Sequence, residues 1–185
     1  IESFAQWQSY LLYSAYVGVF TLGYVDGVYL RYGSKNYDEL PFKELRSSIR
    51  VFLFVIVTFT LLGISFSIGG GVDSADLFAK SLAATNIAMM GLHGLLMYLL
   101  QITNQLRRFG LLFAFDKALL FLTLCVFMFI DLRDYRAFIV FDIFYKMLVV
   151  SVLCWKMKEL FWGPVLSLKT SLLEFIKNIS IGHYL

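Results

Sequence analysis

Residues Ser48–Gly69 read SIRVFLFVIVTFTLLGISFSIG, an apolar run broken by a single charge, Arg50. A helix needs roughly 20 predominantly apolar residues to cross the hydrocarbon core of a bilayer, and this run is long enough. Four other stretches match it in length and character: Trp7–Gly23, Lys80–Gln101, Gly110–Ile130 and Ala137–Trp155. Hydrophobic residues make up 59% of the 185 positions, and the mean hydropathy is +0.75. One soluble domain of this length has too little interior to hide so much apolar surface. The expected fold class is therefore all-α, a polytopic transmembrane helix bundle of about five spans, with 1–185 forming one unit.

Other features narrow the function. A net charge of +3 is small and dispersed, which argues against nucleic acid. Cys125 and Cys154 lie inside expected spans and have neither metal-ligand nor disulfide spacing, so inert buried thiols are expected, with no metal and no cofactor. The chain opens Ile1-Glu2-Ser3, without an initiator Met or a signal-peptide pattern. It closes on a rising apolar run, Ser180-Ile181-Gly182-His183-Tyr184-Leu185. An internal fragment of a longer protein is expected, with 164–185 as a linker and the start of a next helix.

Basic residues outside the spans favour one face. Arg31, Lys35, Lys43, Arg46 and Arg50 share it with Arg107, Arg108, Lys156, Lys158, Lys169 and Lys177. The opposite face has Lys80, Arg133 and Arg136, diluted by Asp73, Asp76, Asp131 and Asp134. The positive-inside rule makes the first face cytoplasmic, with loops 24–47, 105–109 and 156–177 on it. The first span then runs inward from an outside N-terminus. Trp7, Tyr10, Tyr13 and Tyr16 read as aromatic anchoring near a headgroup region. Gly27 and Gly33 read as sites of sharp turns or close helix contact. Pro41 closes the loop, and a basic turn from Lys43 to Arg50 begins the next helix. Gly69-Gly70-Gly71 ends the second span and Gly163-Pro164 stops the fifth. Ser171 with Glu174 fits a capping box for a further helix, lying on the membrane surface before entering it.

The third span carries the sharpest polar pattern. At ~100° per residue, Asn86, Met90, His93, Met97, Gln101 and Asn104 fall within roughly 80° of one another, and Ala84, Ala88, Leu95, Leu99 and Ile102 lie opposite, where lipid is expected. The polar face suits a helix lining a hydrated cavity. The alternative is interhelical hydrogen bonding within a sealed bundle, but intramembrane polar groups mark pathways, which favours the cavity. Asp142 and Lys146 stand one turn apart in the fifth span, acid before base, the order that favours an ion pair. Lys146 then either binds an anionic substrate group steadied by Asp142, or the two form a structural pair. Asp116 and Lys117 open the fourth span, where snorkelling to the interface is expected, and Asp116 shares a face with Thr123. Arg31, Arg46 and Arg50 form the densest basic group. Arg46 and Arg50 read as topology signals, while Arg31 is a candidate phosphate-collecting cation. His93 is the one histidine within an expected span and has no local catalytic partner.

A few short phrases carry a family resemblance. Trp7-Gln8 and Tyr10-Leu11 followed by Gly23–Ser34, GYVDGVYLRYGS, resemble the second-helix region of bacterial polysaccharide flippases. These are the Wzx-type O-antigen, capsule and teichoic-acid exporters of the MATE-like flippase superfamily. The family pattern has a second Gly where this chain has Ser34. Leu100-Gln101-Ile102-Thr103-Asn104-Gln105 is similar to the family's end of helix four, and Asn178-Ile179-Ser180-Ile181-Gly182 to its approach to helix seven. The resemblance implies that the five spans are helices two to six, most of a six-helix N-terminal lobe facing a pseudo-symmetric partner lobe across a substrate cavity. It further implies a non-enzymatic translocator of polyprenyl-pyrophosphate-linked oligosaccharide, working by alternating access in the bacterial plasma (inner) membrane. Substrate-path candidates, inferred from the residues and not from a family motif, are Asn86, His93, Gln101, Asn104, Arg31, Lys146 and Asp142. Expected partners are the lipid-linked oligosaccharide, membrane lipids and a coupling ion (H+ or Na+), with Asp116, Asp142 or His93 as ion candidates. Two other classes share these features: a drug or metabolite exporter of the same superfamily, and an intramembrane glycan-modifying enzyme in which His93 meets Asp142.

Overall fold

The computed structural model describes residues 2–33, 35–69, 74–131 and 134–183. Among these, all regular structure is helical: α1 (Glu2–Ala15), α2 (Tyr24–Tyr32), α3 (Phe42–Gly69), α4 (Ser74–Ile102), α5 (Leu106–Phe129), α6 (Tyr135–Lys156) and α7 (Leu168–Gly182). Short 3-10 turns cover Tyr16–Thr21, Tyr37–Glu39 and Lys158–Leu160. By length and apolar character, α3, α5, α6 and the Leu77–Ile102 part of α4 each suffice to cross a membrane. Residues Ala5–Thr21 and α2 pass the same test only together, as a pair bent by 55° that is either one broken span or a re-entrant loop, so the described residues hold four or five candidate spans. The chain is an all-α, membrane-embedded bundle, as the hydropathy pattern requires.

The bend has a local cause. Leu22 (φ 53°) and Gly23 (φ 70°) are consecutive left-handed residues, a conformation no α-helix tolerates. The 3-10 turn therefore ends there and α2 restarts at a new angle. Residues 24–32 are consequently helix, not the opening of a 24–47 loop. Gly27 serves close contact and not a turn: a side chain on it would overlap the backbone carbonyl of Asn178, and one on Gly182 would overlap that of Gly23. Gly23 and Gly27, four residues apart, thus face Asn178 and Gly182, also four apart, and α2 and α7 meet backbone to backbone. Tyr24 stacks on Phe52 of α3 with ring centroids 4.5 Å apart, and its hydroxyl lies 2.8 Å from Ser48 Oγ.

Helix α4 is the hub, in contact with α1, α2, α3, α5 and α6. Leu95 and Leu99 are fully buried, and Ala84 and Ile102 nearly so. The face opposite the polar stripe therefore packs on protein, not lipid. Apolar periodicity alone could not separate the two, because lipid tails and protein interior are equally apolar. The exposed apolar surface lies instead on α3 and α5, whose apolar windows are only 17% buried against 50% for α4. Phe54, Phe66, Phe121, Met128 and Phe129 project outward from these two helices.

The loops carrying the basic residues are tied down. Arg46 is buried. Its Nε and Nη2 donate to the Glu159 carbonyl at 3.1 and 2.6 Å, and its Nη1 to that of Pro164 at 2.7 Å. It thereby pins the connection that follows α6 onto the start of α3. Helix α6 stops at Lys156, before Gly163-Pro164 is reached. The N-cap of α7 is Ser167, which accepts from Thr170 N–H, so Ser171 and Glu174 are not its capping box. Ser171 is buried one turn inside the helix, and Glu174 bonds elsewhere. Gly70, Gly71, Asp73, Arg133, Ser34, Tyr184 and Leu185 lie outside the described residues, as does the side chain of Asp76.

Candidate functional site: a polar network joining three helices

Three apolar helices bring one polar chain together. Asp142 on α6 is buried, and its Oδ2 accepts from Lys146 Nζ at 2.6 Å, the one-turn pair anticipated from spacing. The same oxygen accepts from the Tyr10 hydroxyl of α1 at 2.5 Å. That hydroxyl in turn accepts from Asn86 Nδ2 of α4 at 2.6 Å, and Asn86 Nδ2 also donates to Ser14 Oγ at 3.1 Å. The chain Ser14–Asn86–Tyr10–Asp142–Lys146 thus crosses α1, α4 and α6. Each member polarises the next, and the carboxylate at its centre shortens the bonds it receives. Tyr10 is fully buried, so it belongs to this network and not to a headgroup belt. Trp7 stacks on it with ring centroids 5.5 Å apart.

Two groups in this region keep unspent capacity. Asn86 is fully buried, and its Oδ1 has no hydrogen-bond partner among the described residues; the same holds for His93 Nε2. The charges within electrostatic reach of the His93 ring are Asp116, Lys146 and Lys117. Asp116 is buried with Thr123 on one face of α5, and its Oδ2 lies 3.2 Å from Lys117 Nζ. Asp116 is thus buried and not turned outward as expected, whereas Lys117 is exposed. The Lys146 ammonium has three donors, and Asp142 takes one of them. Lys146 thus holds its carboxylate partner inside the bundle while retaining donors for a second anion.

The remaining candidates separate from this network. Arg31 is already neutralised: its guanidinium contacts Glu174 of α7 at 2.5 Å, Asn178 Oδ1 at 3.0 Å and Glu44 at 3.4 Å. It fastens α2 to α7 and is not a free phosphate collector. Asn104 lies beyond the end of α4, exposed and left-handed at φ 58°, so it leaves the helical stripe. Gln101 is half-buried near the same end, Met97 is buried and Met90 exposed. The stripe therefore divides. Asn86 bonds between helices, His93 Nε2 has no hydrogen-bond partner among the described residues, and Asn104 belongs to the basic end. Cys125 and Cys154 are free and half-buried.

Spacing made the Asp142–Lys146 pair readable, but not Tyr10 or Ser14. Tyr10 and Asp142 are 132 positions apart, and nothing local to either announces the other. The available signal was a hydroxyl-bearing run, Tyr10 to Ser14, in the second half of α1. Compared with protein-family models, curated proteins and solved structures, the chain gives no significant match in any of the three.

Proposed function

We propose that this chain forms the substrate-handling bundle of a flippase. It moves a polyprenyl-pyrophosphate-linked oligosaccharide across the bacterial plasma membrane by alternating access. The observation that carries the reading is Lys146 held at 2.6 Å by Asp142 within apolar helices, with Tyr10 and Asn86 fixing the carboxylate. Ionisable groups at such depth are costly and mark substrate or ion paths by default. An arriving pyrophosphate offers Lys146 a second anion. As that anion takes over the ammonium, Asp142 loses its counter-charge and keeps the hydroxyls of Tyr10 and the buried Tyr145 beside it. Asp142 then gains from a coupling cation, H+ or Na+, and this exchange would bias one bundle arrangement over another. Arg31, occupied by two carboxylates, has no part in it.

A drug exporter for organic cations is less well supported, because Asp142 and Asp116 each already have a lysine partner. A glycan-modifying enzyme is also less well supported: Asp142 is engaged by Tyr10 and Lys146, and His93 Nε2 has no hydrogen bond. The test is translocation of a fluorescent polyprenyl-pyrophosphate oligosaccharide in proteoliposomes holding the full-length protein. Lys146→Gln is expected to slow transport about tenfold or more, the equivalent of one lost charge-assisted contact. Arg31→Gln should leave substrate affinity unchanged. Wild-type rates for both Lys146→Gln and Asp142→Asn would overturn the proposal.

A further inference from the structure

At the basic end of the bundle, two clefts join. The first, of about 370 Å3, has an apolar floor built by Leu100 of α4, Leu112 and Phe115 of α5, and Leu153 and Met157 at the end of α6. Arg108 and Lys156 stand on its rim. The second, of about 590 Å3 and more open, shares Tyr37, Gln105 and Arg108 with the first and adds Asn36, Asp38, Glu39, Thr103 and Asn104. Chemistry therefore changes in order along one continuous surface: hydrocarbon, then two cations, then carboxylates and amides.

That order matches one class of amphiphile. We propose that the joined clefts bind a bilayer phospholipid with a single phosphate and a terminal primary ammonium, its chain along the apolar floor, its phosphate between Arg108 and Lys156, and its ammonium at Asp38. Arg108 spends Nη1 on Gln105 Oε1 at 2.7 Å, which orients the guanidinium and leaves its other N–H groups for a phosphate oxygen. Lys156 is exposed at the end of α6. Burial first, then the Glu159 and Asp38 carboxylates, push the Tyr37 hydroxyl up to about 12, so at neutral pH it remains a donor at the junction. Glu39 is occupied by the Asn36 backbone and side-chain amides at 3.2 and 3.0 Å. Asp38 is exposed and makes no hydrogen bond among the described residues, so it is the carboxylate free to meet an ammonium. A doubly charged pyrophosphate would place its second phosphate towards these carboxylates. The cleft selects against it and is distinct from the Asp142–Lys146 network, two helical turns away along α6 from Lys146 to Leu153. The inference holds whether or not the bundle carries a glycan.

The experiment is native mass spectrometry of the full-length protein, titrated with phosphatidylethanolamine, phosphatidylglycerol and a polyprenyl pyrophosphate. The wild type is expected to retain phosphatidylethanolamine about fivefold better than phosphatidylglycerol, and polyprenyl pyrophosphate least at this site. R108Q with K156Q, both at exposed positions and melting like the wild type, should weaken phosphatidylethanolamine about tenfold or more. D38N should remove the preference between the two phospholipids while both still bind. Unchanged retention by the double variant, equal or stronger binding of phosphatidylglycerol by the wild type, or loss of polyprenyl pyrophosphate alone in the double variant would each overturn the assignment.

Discussion

Asp142 accepts from both Tyr10 and Lys146 through one oxygen, and this sharing sets what its neighbours are worth. Removing Lys146 alone strands a carboxylate in a bundle interior. Lys146→Met is therefore expected to destabilise by about 3–5 kcal/mol, whereas Asp142→Asn with Lys146→Met should recover most of that loss. Tyr10→Phe deletes the hydroxyl that both donates to Asp142 and accepts from Asn86, at an expected loss of about 1–3 kcal/mol. Equilibrium unfolding in mixed micelles measures all three, and full additivity of the paired substitutions would count against a coupled network. At this scale the sequence disclosed the covalently close partners and no others. Asp142 and Lys146 are adjacent on one helix face whatever the tertiary structure, but Tyr10, Ser14 and Asn86 become neighbours only when α1, α4 and α6 pack. Arg31 shows the same limit: its charge and its glycine-rich setting were visible, its partner Glu174, 143 positions away, was not.

Among the helices, α4 and the α2–α7 pair organise the bundle. Leu99 of α4 is fully buried, whereas Phe129 at the end of α5 is 91% exposed. Leu99→Ala is expected to cost about 2–5 kcal/mol, and Phe129→Ala within about 0.5 kcal/mol, in the same unfolding measurement. Equal effects would mean that α4 does not occupy the centre. Gly27→Leu pushes a side chain into the Asn178 carbonyl and should separate α7 from α2. Hydrogen exchange over Leu168–Gly182 should then accelerate while α6 remains protected; unchanged exchange in α7 would show that the close approach is dispensable. Four long apolar helices and most helix positions were legible, because length and apolar content are fixed by the bilayer. The bend at Leu22–Gly23 was not, since nothing in the residue type of Leu22 requires a positive φ. The lipid-facing side of α4 was misassigned for a reason that applies to any membrane helix: its apolar face fits a neighbouring helix as well as it fits acyl chains.

For the molecule as a whole, α3 and α5 expose long apolar faces while α4 gathers the polar groups inward, and most of the basic residues collect at one end. Arg46 ties the α6–α7 connection to α3 at that end, and Arg108 and Lys156 line the cleft beside it. Such a body separates an apolar exterior from a core where Lys146, Asp142, Asn86 and His93 sit within apolar helices. The central claim is that this core is reached by water during the working cycle. It is tested most directly by His93→Cys in a background with Cys125→Ala and Cys154→Ala, labelled in native membranes with a charged thiol reagent and, separately, a lipid-soluble one. The account predicts reaction with the charged reagent, slowed by added polyprenyl-pyrophosphate oligosaccharide. Silence towards the charged reagent, with or without reaction towards the lipid-soluble one, would contradict it.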